Sequence, residues 1–312
     1  CYLDIDSSVY WYAVTGTKVN LPIKHKLPNL GARLEAEFDG IGDQWWKIGN
    51  KLGQTISARL AHMPTAASYN SDFGLMMAWV RLTEGVCRES NPCVVVCDDP
   101  WLFRELARID GVTAGRYPQI WPLMFRGWIR GYLARTIFAF RTVITSLILL
   151  NTRKKFSDEN KALIVYGHPK SATDGDDTYF GSLMNHIPSL SRLIHTDADL
   201  ANTRRLSGKR TAGLHAWGNI FISPIIIFKR WCPKKSDMTG EYSWLIRRAV
   251  AFENSTAAIA GNFWQIHCQQ RWIEKSKPGV ILWPWENHPW ERELCRYAKK
   301  YGIKTIGYQN KD

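Results

Sequence analysis

The segment VILWPWENHPWERELCRYAKKYGIKTIGY, residues 280–308, restricts the possible folds more than any other part of the chain. VILW (280–283) is a short apolar run of the kind a buried strand carries, and IKTIGY (303–308) alternates or nearly so. Between them Trp290, Leu294, Tyr297, Ala298 and Tyr301 recur at the helical period and make one apolar face. Glu291 and Glu293 fall in the first turn and Lys299 and Lys300 in the last, which suits the helix dipole at both ends. Pro289 opens a helix without losing a hydrogen bond, and Gly302 closes it by adopting positive φ. Strand, polar loop, helix and strand in this order predict parallel strands joined across one face of a sheet. Ligands of open parallel sheets collect beyond the carboxyl ends of the strands, which is where Glu286, Asn287 and His288 would sit.

Two further strand ends are predicted to be polar. Val94–Val96 reads as a buried strand followed by Asp98 and Asp99 and a helix over Pro100–Ile109. Ala162–Tyr166 reads as another, followed by Gly167, His168 and an acidic loop with Asp174, Asp176 and Asp177. All three loops are expected to meet over one sheet edge. Each candidate also has a structural role open to it: Asp98 or Asp99 as a helix cap, His168 as a loop or capping residue, Glu286 as the residue that holds its own loop. His215, among apolar neighbours, is expected to be structural. The basic stretch NTRRLSGKR offers Arg204, Arg205, Lys209 and Arg210 either to a phosphate or to solvent. The acidic triplet lacks the spacing and terminal carboxylate of a calcium loop, and no metal site is expected.

Elsewhere, 72–89 predicts a helix and 238–275 a longer one, interrupted at Gly261. Residues 125–150, FRGWIRGYLARTIFAFRTVITSLILL, carry an apolar stripe from Phe125 to Ile148 with Arg126, Arg130, Arg135 and Arg141 mostly off it. Those arginines argue against a spanning segment. The stripe suits either a helix covering a core or one attached to anionic lipid.

At 312 residues, with 45% hydrophobic and 22% charged residues, the chain has room for one large or two ordinary domains. A formal charge of +13 favours an anionic partner. No zinc-finger or RNA-binding spacing points to nucleic acid. Seven dispersed cysteines fit a reducing compartment better than a disulfide framework. The start, CYLDIDSSVYWY, has no signal-peptide core, and its cysteine fits a processed chain or fragment.

ENHPWE (286–291) followed by GYQ (307–309) resembles bacterial surface-carbohydrate biosynthesis glycosyltransferases, in which an ENxPWE segment precedes a GYQ strand. The resemblance covers residues 283–309, with YFG (179–181) as a looser link. Where those relatives commonly have His after GYQ, this chain has Asn310, so no role is carried over to that position. The resemblance implies an α/β fold with a Rossmann-like parallel sheet and flanking helices, the N-terminal half of a GT-B glycosyltransferase. Residues 1–309 would form the acceptor-side domain, with a helical excursion near 116–155, and 310–312 would begin a linker or second domain. The implied activity is sugar transfer from a nucleotide-activated donor to a glycan or lipid-linked acceptor in polysaccharide or lipopolysaccharide biosynthesis. It needs no cofactor and would take place in the cytoplasm, at the inner face of the bacterial membrane.

Glu286 is then the leading acid–base residue, with Asp98 and Asp177 as alternatives. Asp99, His168, Asp174, Asp176, Asn287, His288 and Gln309 would contact substrate, and Arg204, Arg205, Lys209 and Arg210 the phosphates. Trp283, Trp285 and Trp290 serve either sugar faces or the core. The alternative function is a noncatalytic, membrane-associated carbohydrate-binding or assembly domain.

Overall fold

The structure is a computed structural model and describes residues 2–4, 27–63, 71–89 and 94–309. It divides into two compact units. Residues 1–58, 63–129 and 232–255 form the first, and 59–62, 130–231 and 256–312 the second.

In the first unit β1 (Tyr2–Asp4) pairs in parallel with β2 (Val94–Val96) to make a two-stranded sheet. The rest of the opening segment, through residue 26, lies outside the described residues. The stretch 28–60, whose topology cannot be read from its scattered apolar residues, forms helices over Leu30–Gly40, Gly42–Leu52 and Ile56–Arg59. The predicted helix at 72–89 spans Phe73–Arg88 and buries Phe73, Met76 and Met77 of the expected face, and Trp79, Leu82 and Val86 on other sides as well. The next helix, Pro100–Leu106, is shorter than predicted. Its cap is Asp99, whose carboxylate accepts from the amides of Trp101 and Leu102 at 3.0 Å each. Arg248, in the helix Ser243–Glu253, donates to Asp99 at 2.5 Å and to Asp72 at 2.6 Å and ties three segments together.

The second unit is built on a five-stranded, all-parallel sheet of β3 (Lys161–Val165), β4 (Leu190–Ile194), β5 (Thr211–Gly213), β6 (Val280–Pro284) and β7 (Lys304–Tyr308). Its order is β5-β4-β3-β6-β7. The chain steps outward from β3 to β5, then returns to the other side of β3 for β6 and β7. The direction of winding therefore reverses between β3 and β6, as in Rossmann-like sheets. Ala162, Leu163, Ile164 and Val165 are buried, and so is all of β4, as expected where helices cover both faces.

The Asn160 carbonyl accepts from the amides of Gly279 and Val280, so the sheet begins in register at β3 and β6. The covering helix Ala258–Ser276 buries Trp264, Cys268, Trp272 and Ile273. It is separated from Ser243–Glu253 at residues 254–257 and runs through Gly261 without a break, contrary to expectation. Ser255 donates to the Phe252 carbonyl, and the Thr256 hydroxyl accepts from the Ala258 amide. These two side chains end one helix and start the next. Gly261, with nothing closer than Phe138 at 3.9 Å, needs no break.

The long helix runs from Trp121 to Lys155, beyond the predicted 125–150 at both ends. Its apolar stripe faces outward: Leu133, Ile137, Phe140, Ile144 and Leu147 are exposed, whereas Gly131, Arg135, Ala139, Thr142 and Ser146 are buried. The stripe does not cover a core. By length and composition the helix is also apolar enough to cross a membrane, despite its arginines. Among the described residues Cys87, Cys97, Cys232, Cys268 and Cys295 are free thiols.

Candidate functional site

The loop after β6 follows from local sequence constraints. Trp285 donates its amide to the Tyr308 carbonyl and continues the β6–β7 ladder by one step. Asn287 then takes φ 62°, a left-handed conformation that asparagine tolerates better than most residues. His288 is the extended N-cap of the helix Pro289–Lys300, with Pro289 in the first turn.

Glu291 is fully buried, and its carboxylate reaches back to accept from the amides of Glu286 and Asn287 at 3.1 Å each. It acts as the acidic member of a capping box extended past the N-cap. Burial pushes its carboxyl upward, partly offset by the backbone amides of His288 and Glu286, the His288 ring and the Trp283 indole. Glu291→Ala is expected to cost about 1–3 kcal/mol by orphaning the loop amides. Hydrogen exchange should accelerate at residues 286 and 287 and stay unchanged at β3.

This clamp leaves Glu286 accessible. Its carboxylate lies 3.1 Å from His288 Nε2, with side chains 43% and 27% exposed respectively, so the pair faces solvent at the carboxyl edge of the sheet. The next strand ends supply its surroundings. Tyr166 follows β3, and its ring lies 6.3 Å from His288, 4.9 Å from His195 and 6.4 Å from Trp290. Burial pushes the Tyr166 hydroxyl well up, with Glu286 and Glu291 adding to it. Tyr179 is shifted in the same direction by burial and then by Glu286. Its neighbour Phe180 packs on Tyr308 at 5.8 Å, so YFG and GYQ meet beside β7.

Three histidines complete the edge. His62 stands edge-on to His288 with ring centres 5.6 Å apart. Its segment is held by Arg59, which donates to Glu293 at 2.8 Å, and by Asn262, which donates to the Leu60 carbonyl. Burial lowers His62 to about 4, helped by His288. His195 follows β4 and packs 5.0 Å from Trp290. Its Nδ1 accepts from the Asp197 amide, and its buried Nε2 has no hydrogen-bond partner among the described residues. Behind it, His215 accepts from the Trp264 indole and meets the Thr196 carbonyl at 2.9 Å, the structural use expected of it.

The other predicted residues take different places. Asp98 and Asp99 follow β2, which belongs to a different sheet from β3 and β6, so the three polar loops do not end strands of one sheet. Asp99 is the cap described above. Asp177 is buried against Arg192 at 3.2 Å, and it also accepts from Ser171 and from the Tyr179 amide. That environment makes it a loop anchor, shut off from an acceptor hydroxyl. Asp174, at φ 49°, accepts from the amides of Lys209 and Arg210. Asp176 accepts from Asn185 at 2.6 Å.

Arg205 donates to the carbonyls of Pro169 and Ser171, and Arg210 to those of Met184 and Asp174. Lys209 and Arg210 immediately precede β5, so they lie at the amino edge of the sheet, opposite Glu286. Arg204 is exposed. His168 Nδ1 accepts from the Lys170 amide and lies 3.2 Å from the Thr178 hydroxyl. The Asn287 carboxamide oxygen accepts from Arg292. Gln309 is exposed at the end of β7, on the same edge as Glu286. Trp283 and Trp290 are buried, and Trp285 packs over Gly307, where a Cβ would meet its ring at 3.0 Å.

Among the described residues no group of three His, Cys, Asp or Glu side chains is arranged to hold a metal ion. Comparison with protein-family models, with curated proteins and with solved structures finds no match for this chain.

Proposed function

We propose that the carboxyl edge around Glu286 is the acceptor mouth of a GT-B-like glycosyltransferase, which moves a sugar from a nucleotide-activated donor to a glycan or lipid-linked acceptor. One observation carries this proposal: an accessible carboxylate, hydrogen-bonded to an imidazole, sits on the loop after β6 at the reversal between β3 and β6. Ligands of open parallel sheets bind at such reversals. The resemblance of ENHPWE and GYQ to surface-carbohydrate enzymes supports the choice of chemistry.

In this mechanism the acceptor hydroxyl attacks the anomeric carbon while its proton passes to Glu286. The bond from that carbon to the phosphate oxygen breaks, and the nucleoside diphosphate leaves with the bonding pair. His288, 3.1 Å from one Glu286 oxygen, would orient the carboxylate toward the hydroxyl. Tyr166 and Tyr179 give the mouth an aromatic wall of the kind sugar faces pack on. Arg205 and Arg210 are committed to loop carbonyls, so the leaving phosphate has to draw on other donors.

The test measures nucleoside diphosphate release by the full-length protein from a panel of nucleotide sugars, with glycan and lipid-linked acceptors. Glu286→Gln is expected to lower kcat by about 100- to 10,000-fold, the usual contribution of a general base, and to leave acceptor affinity and thermal stability close to wild type. A rate near wild type at saturating substrates would exclude Glu286 as the base. Glycan binding with no nucleotide-sugar consumption by any preparation would instead select a carbohydrate-binding domain.

A further inference from the structure

The long helix Trp121–Lys155 inverts the usual amphipathic arrangement. A surface helix of a globular protein normally turns its apolar stripe inward. Here the inward face is small and polar apart from Leu149. Arg135 donates to the Ile227 carbonyl at 3.0 Å, Thr142 meets Ser223 at 3.1 Å, and Arg153 reaches the Ala216 carbonyl. Ile137 and Phe140 are 69% and 66% exposed on the outer face. The inward contacts also dock the segment 220–228 against the helix, and that segment adds Phe221 and Phe228 at 84% and 74% exposed. Scattered apolar residues on a surface are ordinary, but a contiguous stripe of large ones marks a contact.

Charge narrows what that contact is. Residues 111–157 contain eight Arg or Lys and no Asp or Glu, and residues 211–231 contain Lys229 and Arg230 with no acid. Arg130, Arg141, Lys154, Lys155 and Arg230 are exposed. Aromatic and aliphatic side chains on one face, bordered by cations from two segments that themselves hold no carboxylate, match an anionic bilayer surface: rings and alkyl groups enter the acyl boundary while the cations meet headgroups.

The inward hydrogen bonds also set the orientation. From Arg135 to Arg153 the helix stays bonded to the second unit over about 27 Å of its length. A crossing helix would draw that unit into hydrocarbon, so this one lies in the membrane plane. We infer that the outer face of the helix Trp121–Lys155, together with Phe221 and Phe228, is a monotopic docking surface for an anionic lipid bilayer. This contact does not depend on Glu286 acting as a base.

Flotation of the full-length protein with phosphatidylcholine vesicles, with and without phosphatidylglycerol, tests it. Binding is expected to the anionic vesicles and to fall steeply with added salt. Ile137→Glu with Phe140→Glu should weaken partitioning about a hundredfold or more while the far-ultraviolet circular dichroism is retained. Phe221→Ser with Phe228→Ser, away from the helix, should weaken it in the same direction and guards against misfolding of the first variant. Vesicle binding untouched by both double variants would overturn the assignment. A failure to bind lipid, combined with a dimer that Ile137→Glu and Phe140→Glu dissolve, would also overturn it and make the face a contact between copies. Resistance to alkaline extraction, with one helix end protected from protease, would overturn the in-plane orientation.

Discussion

Asp177→Ala is expected to lower the free energy of unfolding by about 3–5 kcal/mol, because it leaves the Arg192 guanidinium charged and unpaired inside the sheet. Arg192 lies in the middle of β4 with 0% of its side chain exposed, and Asp177 beside it has 1%. Burial alone drives the guanidinium toward losing its proton, and Asp177 is the principal charge opposing that shift. The carboxylate does more than neutralise. It accepts from Ser171 and from the Tyr179 amide, so its removal also frees the loop that carries Tyr179 and Phe180 to the mouth.

Urea unfolding of a double-mutant cycle distinguishes these effects. Asp177→Ala with Arg192→Met should be more stable than Asp177→Ala alone, since the orphaned charge is gone, yet it should still lose order in the 171–181 loop. If Asp177→Ala costs less than about 1 kcal/mol, as an exposed ion pair would, the pair does not hold the loop.

The same pair explains why part of the fold could not be read from the sequence. VILW and KALIV announce their strands because apolar runs are what a two-sided parallel sheet demands. LSRLI does not: a serine and an arginine at its centre break the run, and they are buried because the Lys161 carbonyl takes the serine and a distant loop supplies Asp177 and the Ala172 carbonyl to the arginine. Without a readable β4 the sequence offers no strand end for His195 to follow, so the buried imidazole packed on Tyr166 and Trp290 has no local signal. His62 had still less local signal, since its place next to His288 depends on Arg59 and Asn262 contacts far apart in sequence.

The shared edge of Glu286, His288 and Gln309 is legible because strand, loop, helix and strand follow in one short segment. Glu291 was legible in part: an acid three residues after an N-cap signals a capping box, but the two loop amides it takes depend on the turn at Asn287. At Asp98 and Asp99 the sequence is silent on the sheet, because a strand followed by acids looks the same whichever sheet the strand joins. The apolar stripe at 125–150 set a related trap, since its period records that one face is apolar and says nothing about which way that face points.

Lowering the pH from 6.5 toward 4 should destabilise the protein by about 3 kcal/mol for each fully buried imidazole, before most carboxylates are protonated. His195 and His215 are 4% and 2% exposed, and burial lowers each to about 4, against 6.5 for a free imidazole. Below pH 6.5 the unfolded chain takes up protons that these two sites refuse, so unfolding gains free energy as pH falls. The loss levels off below about 4, where the folded sites protonate too. Above 6.5 neither state binds these protons and the effect vanishes.

His215 shows the chemistry behind the shift. The Trp264 indole can only donate, so Nδ1 must accept from it, and Nε2 must carry the hydrogen that goes to the Thr196 carbonyl. A second proton would have to sit on Nδ1 and face the indole N–H at 2.9 Å. Two buried imidazoles together approach the whole stability of an ordinary domain, roughly 5–15 kcal/mol, so the urea midpoint should fall steeply between pH 6.5 and 4.5. His215→Gln offers an acceptor and a donor without titrating, and it should flatten part of that slope, since His195, His62 and His267 are also lowered to about 4. An unchanged slope in His215→Gln, or a midpoint constant across the interval, would mean that the buried rings do not set the acid limit.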